Sequence, residues 1–176
     1  MSRRARLLGV LLLVLLVLSG LPPSPVPAAA REASTPLWDW PVDPPHTVVH
    51  PYRAPATPYG SGHRGIDLPL ARGSPVRSPD DGVVHFAGTV GSRPVLSIRH
   101  PGGLLSSFEP VHAVVTGGTR VGRGQVVGTL ADSAGHCPED CLHLGARLDG
   151  RYLSPLVLLG GVPRAVLLPL ESQARG

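Results

Sequence analysis

Beyond residue 37, the apolar positions fall into short runs rich in valine and leucine. The runs are TVVHPY (47–52), GVVHFAG (82–88), PVLSIRH (94–100), LLSSFEP (104–110), GQVVGTL (124–130) and CLHLGARL (141–148). Stretches such as PDDG, GSRP and HPGG separate them, and these residue types favour turns. Short strands alternating with turns are typical of an antiparallel β-sandwich or barrel. Because helical periodicity is absent from this part of the chain, we predict an all-β domain.

The stretch from 82 to 130 carries a more specific pattern. Its order of strands and turns, with a Gly-x-x-Val-x-x-Gly-Gln turn at 118–125, is typical of a barrel-sandwich hybrid. Biotinyl and lipoyl carrier domains share this pattern, but they attach their cofactor to a lysine. Since the chain contains no lysine, a carrier function is excluded.

The first 30 residues have the features of an export signal. Arg3, Arg4 and Arg6 precede an apolar run at 7–18, and three alanines at 28–30 provide a small-residue cleavage site. The alternative is a retained membrane anchor, but a spanning helix needs about 20 apolar residues. We therefore predict cleavage after residue 30, a secreted or cell-envelope location in a bacterium, and membrane contact only through an uncleaved signal.

The rest of the chain is long enough for one domain with its own core. We predict a linker at 31–37, a domain at 38–160, and a C-terminal tail at 161–176 that either packs on the domain or forms a free end.

All 16 basic residues are arginines, and three lie in the signal, so 13 remain against 12 acidic residues. Nucleic-acid-binding domains carry a stronger basic excess, so we expect no nucleic-acid partner. We also expect a monomer.

The stretch GHRGIDL (62–68) holds the first two candidate metal ligands, His63 and Asp67. On a straight strand these side chains would share a face but lie about 13 Å apart, whereas a glycine-bent turn could bring them to one point. An imidazole and a carboxylate together suit zinc. The alternative is a surface turn with an incidental histidine.

The last run, CLHLGARL, supplies a third candidate ligand. Cys141 and His143 are two residues apart, so on a strand both side chains project to the same side. If His143 faces the metal together with His63 and Asp67, three protein ligands leave a fourth position open for water. That arrangement is typical of catalytic rather than structural zinc.

In their order, the motifs GHRGIDL, IRHPGG, RVGRGQVVGTL and CLHLGAR resemble the lysostaphin/LytM-type zinc metallopeptidases of bacterial cell walls. The resemblance covers residues 38–160. It implies a β-rich fold with a groove and one zinc ion bound by His63, Asp67 and His143. It also implies that the substrates are peptide cross-links of peptidoglycan.

The chain departs from this family at two positions. Cys141 stands where the family has the first histidine of its H-x-H motif, and Pro110 stands where it has a second catalytic histidine. Loss of a positioned acid/base or oxyanion group typically costs about 10²–10⁴-fold in rate. Glu109, His112 and His136 are candidates to replace these histidines, and each is alternatively a solvated loop residue.

The two cysteines allow three interpretations. In an exported chain with two cysteines, a Cys137–Cys141 disulfide is the default expectation. A separate structural zinc site could instead be formed by His136, Cys137 and Cys141. A third possibility is that Cys141 is a fourth ligand on the ion bound by His143 and its partners.

These observations leave an enzyme and a non-enzyme in competition. The first hypothesis is a secreted zinc metalloendopeptidase that acts on peptidoglycan peptides. The second is a non-catalytic, zinc-containing module that binds the wall or regulates a partner wall hydrolase. The intact ligand set favours the enzyme, and the replaced histidines favour the module. A structural zinc protein unrelated to cell walls is a third hypothesis.

Overall fold

Most of the predicted strands are present in the computed structural model, which describes residues 36–57, 59–132, 137 and 140–161. All of these belong to one unit, Ser34–Gly176. The strands are β1 (Gly65–Pro69), β2 (Pro75–Arg77), β3 (Gly82–Val90), β4 (Arg93–Arg99), β5 (Leu104–Glu109), β6 (Val111–Ala113), β7 (Arg120–Val121), β8 (Val126–Leu130), β9 (Cys141–Leu148) and β10 (Arg151–Leu153). A 3₁₀ turn (Pro101–Gly103) joins β4 to β5, and one helical turn, α1 (Pro155–Leu158), follows β10. The all-β prediction is confirmed.

The prediction of a strand at 47–52 was wrong. This segment forms only isolated bridges, His50 with Asp67 and Arg53 with His63. Pro51 and Pro55 lack a backbone N–H, and proline therefore interrupts the ladder of hydrogen bonds that a strand requires. The segment lies instead as an irregular cover along the edge of β1.

The strands form two antiparallel sheets. The larger sheet has the order β1-β9-β5-β4-β3-β7, and β10 also pairs with β9. The smaller sheet has the order β2-β8-β6. Both contribute to one core, with Leu96, Phe108 and Leu144 from the large sheet and Val76 and Val127 from the small one. This arrangement agrees with the predicted sandwich.

Strand β9 lies inside the large sheet and separates the core from the outer face. Leu142, Leu144 and Ala146 are buried in the core. Because side chains alternate along a strand, His143 and Arg147 project to the opposite face. That outer face carries the groove described below.

None of the helices among the described residues is long and apolar enough to cross a membrane.

Candidate metal centre

The large sheet aligns three of the candidate residues in one row. Asp67 of β1 is the direct partner of His143 in β9, and Glu109 of β5 is the partner of His143 on the other side. Directly opposed residues of antiparallel strands project to the same face, with Cβ atoms about 4.5–5.5 Å apart. Asp67, His143 and Glu109 therefore share the face of the sheet opposite the core.

His63 reaches this row through the expected bend in the chain. Its backbone exchanges two hydrogen bonds of 2.9 Å with that of Arg53, immediately before β1 begins. Gly62 permits this contact, because a Cβ there would lie 2.7 Å from the Arg53 carbonyl oxygen. As a result, His63 Nε2 lies 3.1 Å from Asp67 Oδ1.

Three donor atoms of these residues meet at one point. Asp67 Oδ1 lies 2.8 Å from His143 Nδ1, and His63 Nε2 lies 3.1 Å from His143 Nδ1. A zinc ion with ligands at about 2.0–2.1 Å and tetrahedral angles separates its ligand atoms by roughly 3.4 Å. The observed triangle is close to one face of such a tetrahedron, so the two nitrogens and one oxygen fit a divalent metal of this type.

The surroundings of His63 and Asp67 also fit a metal-binding site. The Asp67 side chain is 1% exposed, and a buried carboxylate requires compensating partners. His63 Nδ1 lies 2.9 Å from the Pro51 carbonyl oxygen. Since a carbonyl only accepts, Nδ1 donates in this contact, and Nε2 is the ring nitrogen that faces the other two residues. Histidines that bind metals are commonly oriented by such a hydrogen bond.

Gly65 gives the His143 ring the space it occupies. A Cβ at this position would lie 2.6 Å from His143 Nε2, and it would also collide with the Leu144 carbonyl oxygen. The second glycine of GHRGIDL is therefore required by the close packing of β1 against β9 and the imidazole, in addition to any role in bending the chain.

His50 joins the centre, and sequence reasoning missed it. Its Nδ1 lies 3.0 Å from Asp67 Oδ2, whereas the contacts of His63 and His143 described above are made with Oδ1. The isolated bridge between His50 and Asp67 extends the row by one residue. No spacing rule relates His50 to the GHRGIDL motif, so it could not be distinguished from the other histidines of the chain.

The two cysteines form the predicted Cys137–Cys141 disulfide. Neither sulfur is therefore a free thiolate, which excludes both the separate His136–Cys137–Cys141 zinc site and Cys141 as a fourth ligand in this structure. Potential ligand atoms of His50, Asp67 and Cys137 lie within 4.8 Å of one another, so the disulfide packs beside the metal centre.

The residues considered for the catalytic role, and the proline at a replaced histidine position, lie in different surroundings. The Glu109 side chain is 26% exposed, and its Oε1 lies 3.5 Å from an Arg93 guanidinium nitrogen. Pro110 is buried and has no side-chain polar group, so it cannot act as the histidine of the resembled family does. Its carbonyl accepts a hydrogen bond from Ala131. His112 is exposed in β6 of the smaller sheet, away from the row of His143 and its neighbours. His136 lies outside the described residues.

A groove of about 450 Å³ runs along the outer face past the metal centre. We call it the central groove. Ser97, Ser107 and Glu109 line it beside His143, and Arg64, Arg147 and Tyr152 line its other end. An extended peptide lying in it would pass next to the donor atoms of His143.

The chain is similar in sequence and in fold to known proteins. Residues 61–155 match the family model of peptidase family M23. The chain is 41% identical over 155 residues to an uncharacterized protein of Mycobacterium tuberculosis, a match covering 84% of the chain and 61% of that protein. It is 30% identical over 112 residues to the DD-carboxypeptidase/endopeptidase Mpg of Neisseria meningitidis, covering 63% of the chain and 24% of Mpg.

Among solved structures, the catalytic domain of the antimicrobial peptidase lysostaphin from Staphylococcus simulans has a similar fold. The TM-score is 0.57 at 20% identity, with 65% of the chain and 92% of that domain covered. The chain spans less than two thirds of the length of the mycobacterial relative and about a quarter of Mpg. The match to the family model includes His63, Asp67 and His143 within its bounds.

Proposed function

The chain belongs to peptidase family M23, and on that basis we propose that it is a secreted zinc metalloendopeptidase acting on peptide cross-links of bacterial peptidoglycan. The observation that carries this proposal is the meeting of His63, Asp67 and His143, whose donor atoms lie within 4.8 Å of one another. The name of the related Neisseria protein, a DD-carboxypeptidase/endopeptidase, supports a peptidase that acts on such peptides.

In this proposal His63, Asp67 and His143 hold one zinc ion. When bound, zinc polarises a peptide carbonyl and lowers the pKa of an attacking water. His50 and the Pro51 carbonyl keep Asp67 and His63 in position through the 3.0 Å and 2.9 Å contacts. The central groove orients the peptide beside them.

Glu109 is the described residue best placed to accept a proton in the reaction. It is the ladder neighbour of His143 and lines the same groove. Carboxylates commonly serve as general bases when they lie within hydrogen-bonding reach of the reacting group. Glu109 would thus take over a role that the resembled enzymes give to histidines.

A second candidate function is a non-catalytic module that holds zinc and binds the wall or regulates a partner hydrolase. The specific observation in its favour is the Cys137–Cys141 disulfide. Cys141, one half of this bridge, stands at a position where the resembled enzymes have a catalytic histidine, and a disulfide sulfur cannot transfer protons. Pro110 stands at the position of the second catalytic histidine.

The deciding experiment is incubation of the purified chain with peptidoglycan, followed by quantification of new amino termini. We expect release that is abolished by a chelator and by His63→Ala, and retained in His112→Ala, which removes an exposed histidine of the small sheet. Binding to peptidoglycan without release of amino termini would support the module instead. A zinc content that is the same in His63→Ala, His143→Ala and wild type would overturn the ligand assignment.

A further inference from the structure

Two grooves meet at three residues, Arg64, Arg147 and Tyr152. One is the central groove, which also includes His143. The other, which we call the arginine groove, has a volume of about 850 Å³ and is lined in addition by Arg151 and Tyr52. The three shared residues therefore lie where a peptide leaving the metal centre would pass from one groove into the other.

We propose that Arg64, Arg147 and Tyr152 form a subsite that binds a free carboxylate of the peptide substrate. This rests on the proposed function, since it names a chemical feature of the same peptide. The subsite would select peptides that carry an acid a few residues from the reacting bond. It would disfavour peptides in which that acid is an amide.

The first argument is the way in which the two guanidinium groups are held. Tyr152 is the direct cross-strand partner of Arg147, and the Arg147 Cζ lies 5.1 Å from the centre of its ring. Arg64 Cζ lies 5.6 Å from the same ring centre. The Tyr52 hydroxyl donates a 3.2 Å hydrogen bond to the Tyr152 carbonyl, and Arg64 Nη2 donates a 2.9 Å hydrogen bond to the Gly60 carbonyl. Both cations are thus positioned before any ligand binds.

The second argument is the charge of the grooves. Three arginines line the arginine groove, and none of the described residues lining it is acidic. In the central groove the acidic lining residue is Glu109, which pairs with Arg93. A groove with this lining favours an anionic ligand, and a carboxylate is the anionic group that a peptide offers.

The third argument is the shape of the Arg147 guanidinium group. Arg147 lines both grooves. A planar guanidinium group matches a carboxylate with two parallel hydrogen bonds, which a lysine ammonium group cannot do. A carboxylate is therefore the ligand that this side chain suits best.

The position of Arg147 sets the distance to the reacting bond. Arg147 follows His143 by four residues on the same face of β9. Four residues of an extended strand span about 13 Å. A carboxylate that reaches Arg147 would therefore lie within about four residues of the carbonyl positioned at the metal centre.

The experiment compares two soluble cross-linked stem peptides that differ only in one group, a free carboxylate or its primary amide. Binding to the zinc-loaded chain is measured by isothermal titration calorimetry. Where mass spectrometry shows that the peptides are cleaved, the ratio of their kcat/KM values replaces the ratio of their dissociation constants. We expect the acid to bind at least about tenfold more tightly than the amide, because hydrogen bonds between charged groups are the stronger class. Arg147→Gln and Arg64→Gln should each reduce this preference to less than about threefold.

Arg120→Gln is the matched control, because it removes the same charge from an exposed position in β7 and should keep the preference. Arg147→Lys keeps the positive charge but lacks the planar guanidinium group, so it should show a preference for the acid between those of the wild type and Arg147→Gln. Equal binding of acid and amide by the wild type would overturn the subsite, even if a variant fails to fold. The subsite would also be overturned if inorganic phosphate displaced the acid and the amide equally well, because that result would indicate a phosphate site.

The binding experiment and the peptidoglycan assay can fail independently of each other. A chain that cleaves peptidoglycan but binds acid and amide equally would overturn the subsite and leave the peptidase standing. A chain that prefers the acid but releases no amino termini would support the subsite and count against the peptidase.

Discussion

His50 contacts the Asp67 carboxylate at Oδ2, with its Nδ1 3.0 Å from that oxygen, whereas His63 and His143 contact Oδ1. The two residues are also bridged through their backbones, where the amide of Asp67 donates to the His50 carbonyl at 3.0 Å. The half-exposed imidazole is thus anchored to a buried carboxylate. This relationship makes His50 a positioning residue for Asp67.

Replacing His50 should weaken metal binding without abolishing it. Because groups that orient a metal ligand typically contribute 10–100-fold to affinity, we expect His50→Ala to raise the zinc dissociation constant by about that factor. Competition with a chromogenic chelator measures it. His50→Asn, which can still donate to Asp67 Oδ2, should recover part of the loss, and His112→Ala should have no effect. An unchanged affinity in His50→Ala would refute the positioning role.

Gly65→Ala should disturb both the sheet and the metal centre. The added methyl group would collide with the Leu144 carbonyl and the His143 ring, and overpacking of this kind typically costs about 1–3 kcal/mol. We expect a lower free energy of unfolding in urea and a lower zinc affinity. Gly117→Ala is the control, since a Cβ there meets nothing within 4 Å. Equal stability of the two variants would contradict the packing argument.

The stability of the domain should fall in mild acid because of His100. Burial lowers the pKa of this imidazole below its ordinary value of 6.5, although a hydrogen bond to the Asp81 carbonyl opposes the shift. His100 Nδ1 donates to that carbonyl, so Nε2 accepts from the Ser106 hydroxyl at 2.8 Å. Below pH 6.5 the unfolded chain binds a proton that the folded chain does not. The free energy of unfolding therefore decreases as the pH falls from 6.5 through the folded-state pKa.

Urea unfolding between pH 7.5 and pH 5, with a chelator present so that metal release does not contribute, measures this dependence. His100→Gln should be less stable than the wild type at pH 7.5, and the difference should shrink as the pH falls. The exposed His112→Gln should keep the wild-type slope. A His100→Gln variant with an unchanged slope would show that other groups cause the acid sensitivity.

The disulfide should contribute modestly to stability. It joins residues four apart in the chain, and the loop-entropy relation gives about 2 kcal/mol for so small a ring. We expect the double variant Cys137→Ser, Cys141→Ser to lose about that amount in urea unfolding, and the wild type with reductant to lose the same. Reductant that leaves the wild type unchanged, together with two titratable thiols in the native chain, would show that no bridge forms.

The pattern of apolar runs predicted the main strands because each run is long enough to pair and is bounded by turn residues. CLHLGARL coincides with β9 from end to end. The pattern failed for β1, whose sequence GIDLP contains glycine, aspartate and proline, residues that disfavour strands. Those five residues are extended because Gly65 to Pro69 pair with Gly145 to Cys141, a tertiary contact that local preferences do not reveal.

The sequence by itself determined the chemical types at the site: two imidazoles and a carboxylate as candidate ligands, two cysteines able to pair, and a strand alternation that places His143 and Arg147 on one face. Tertiary structure alone decided which of these meet. Asp67 and His143 are 76 residues apart, and the register of the β1–β9 ladder makes them neighbours. The β5–β9 ladder places Glu109 at one end of the row, and the isolated bridge to Asp67 places His50 at the other. The apolar pattern of a strand decides which of its faces meets the core, but the strand that it pairs with is distant in the sequence, so the local pattern does not reveal which residues become neighbours.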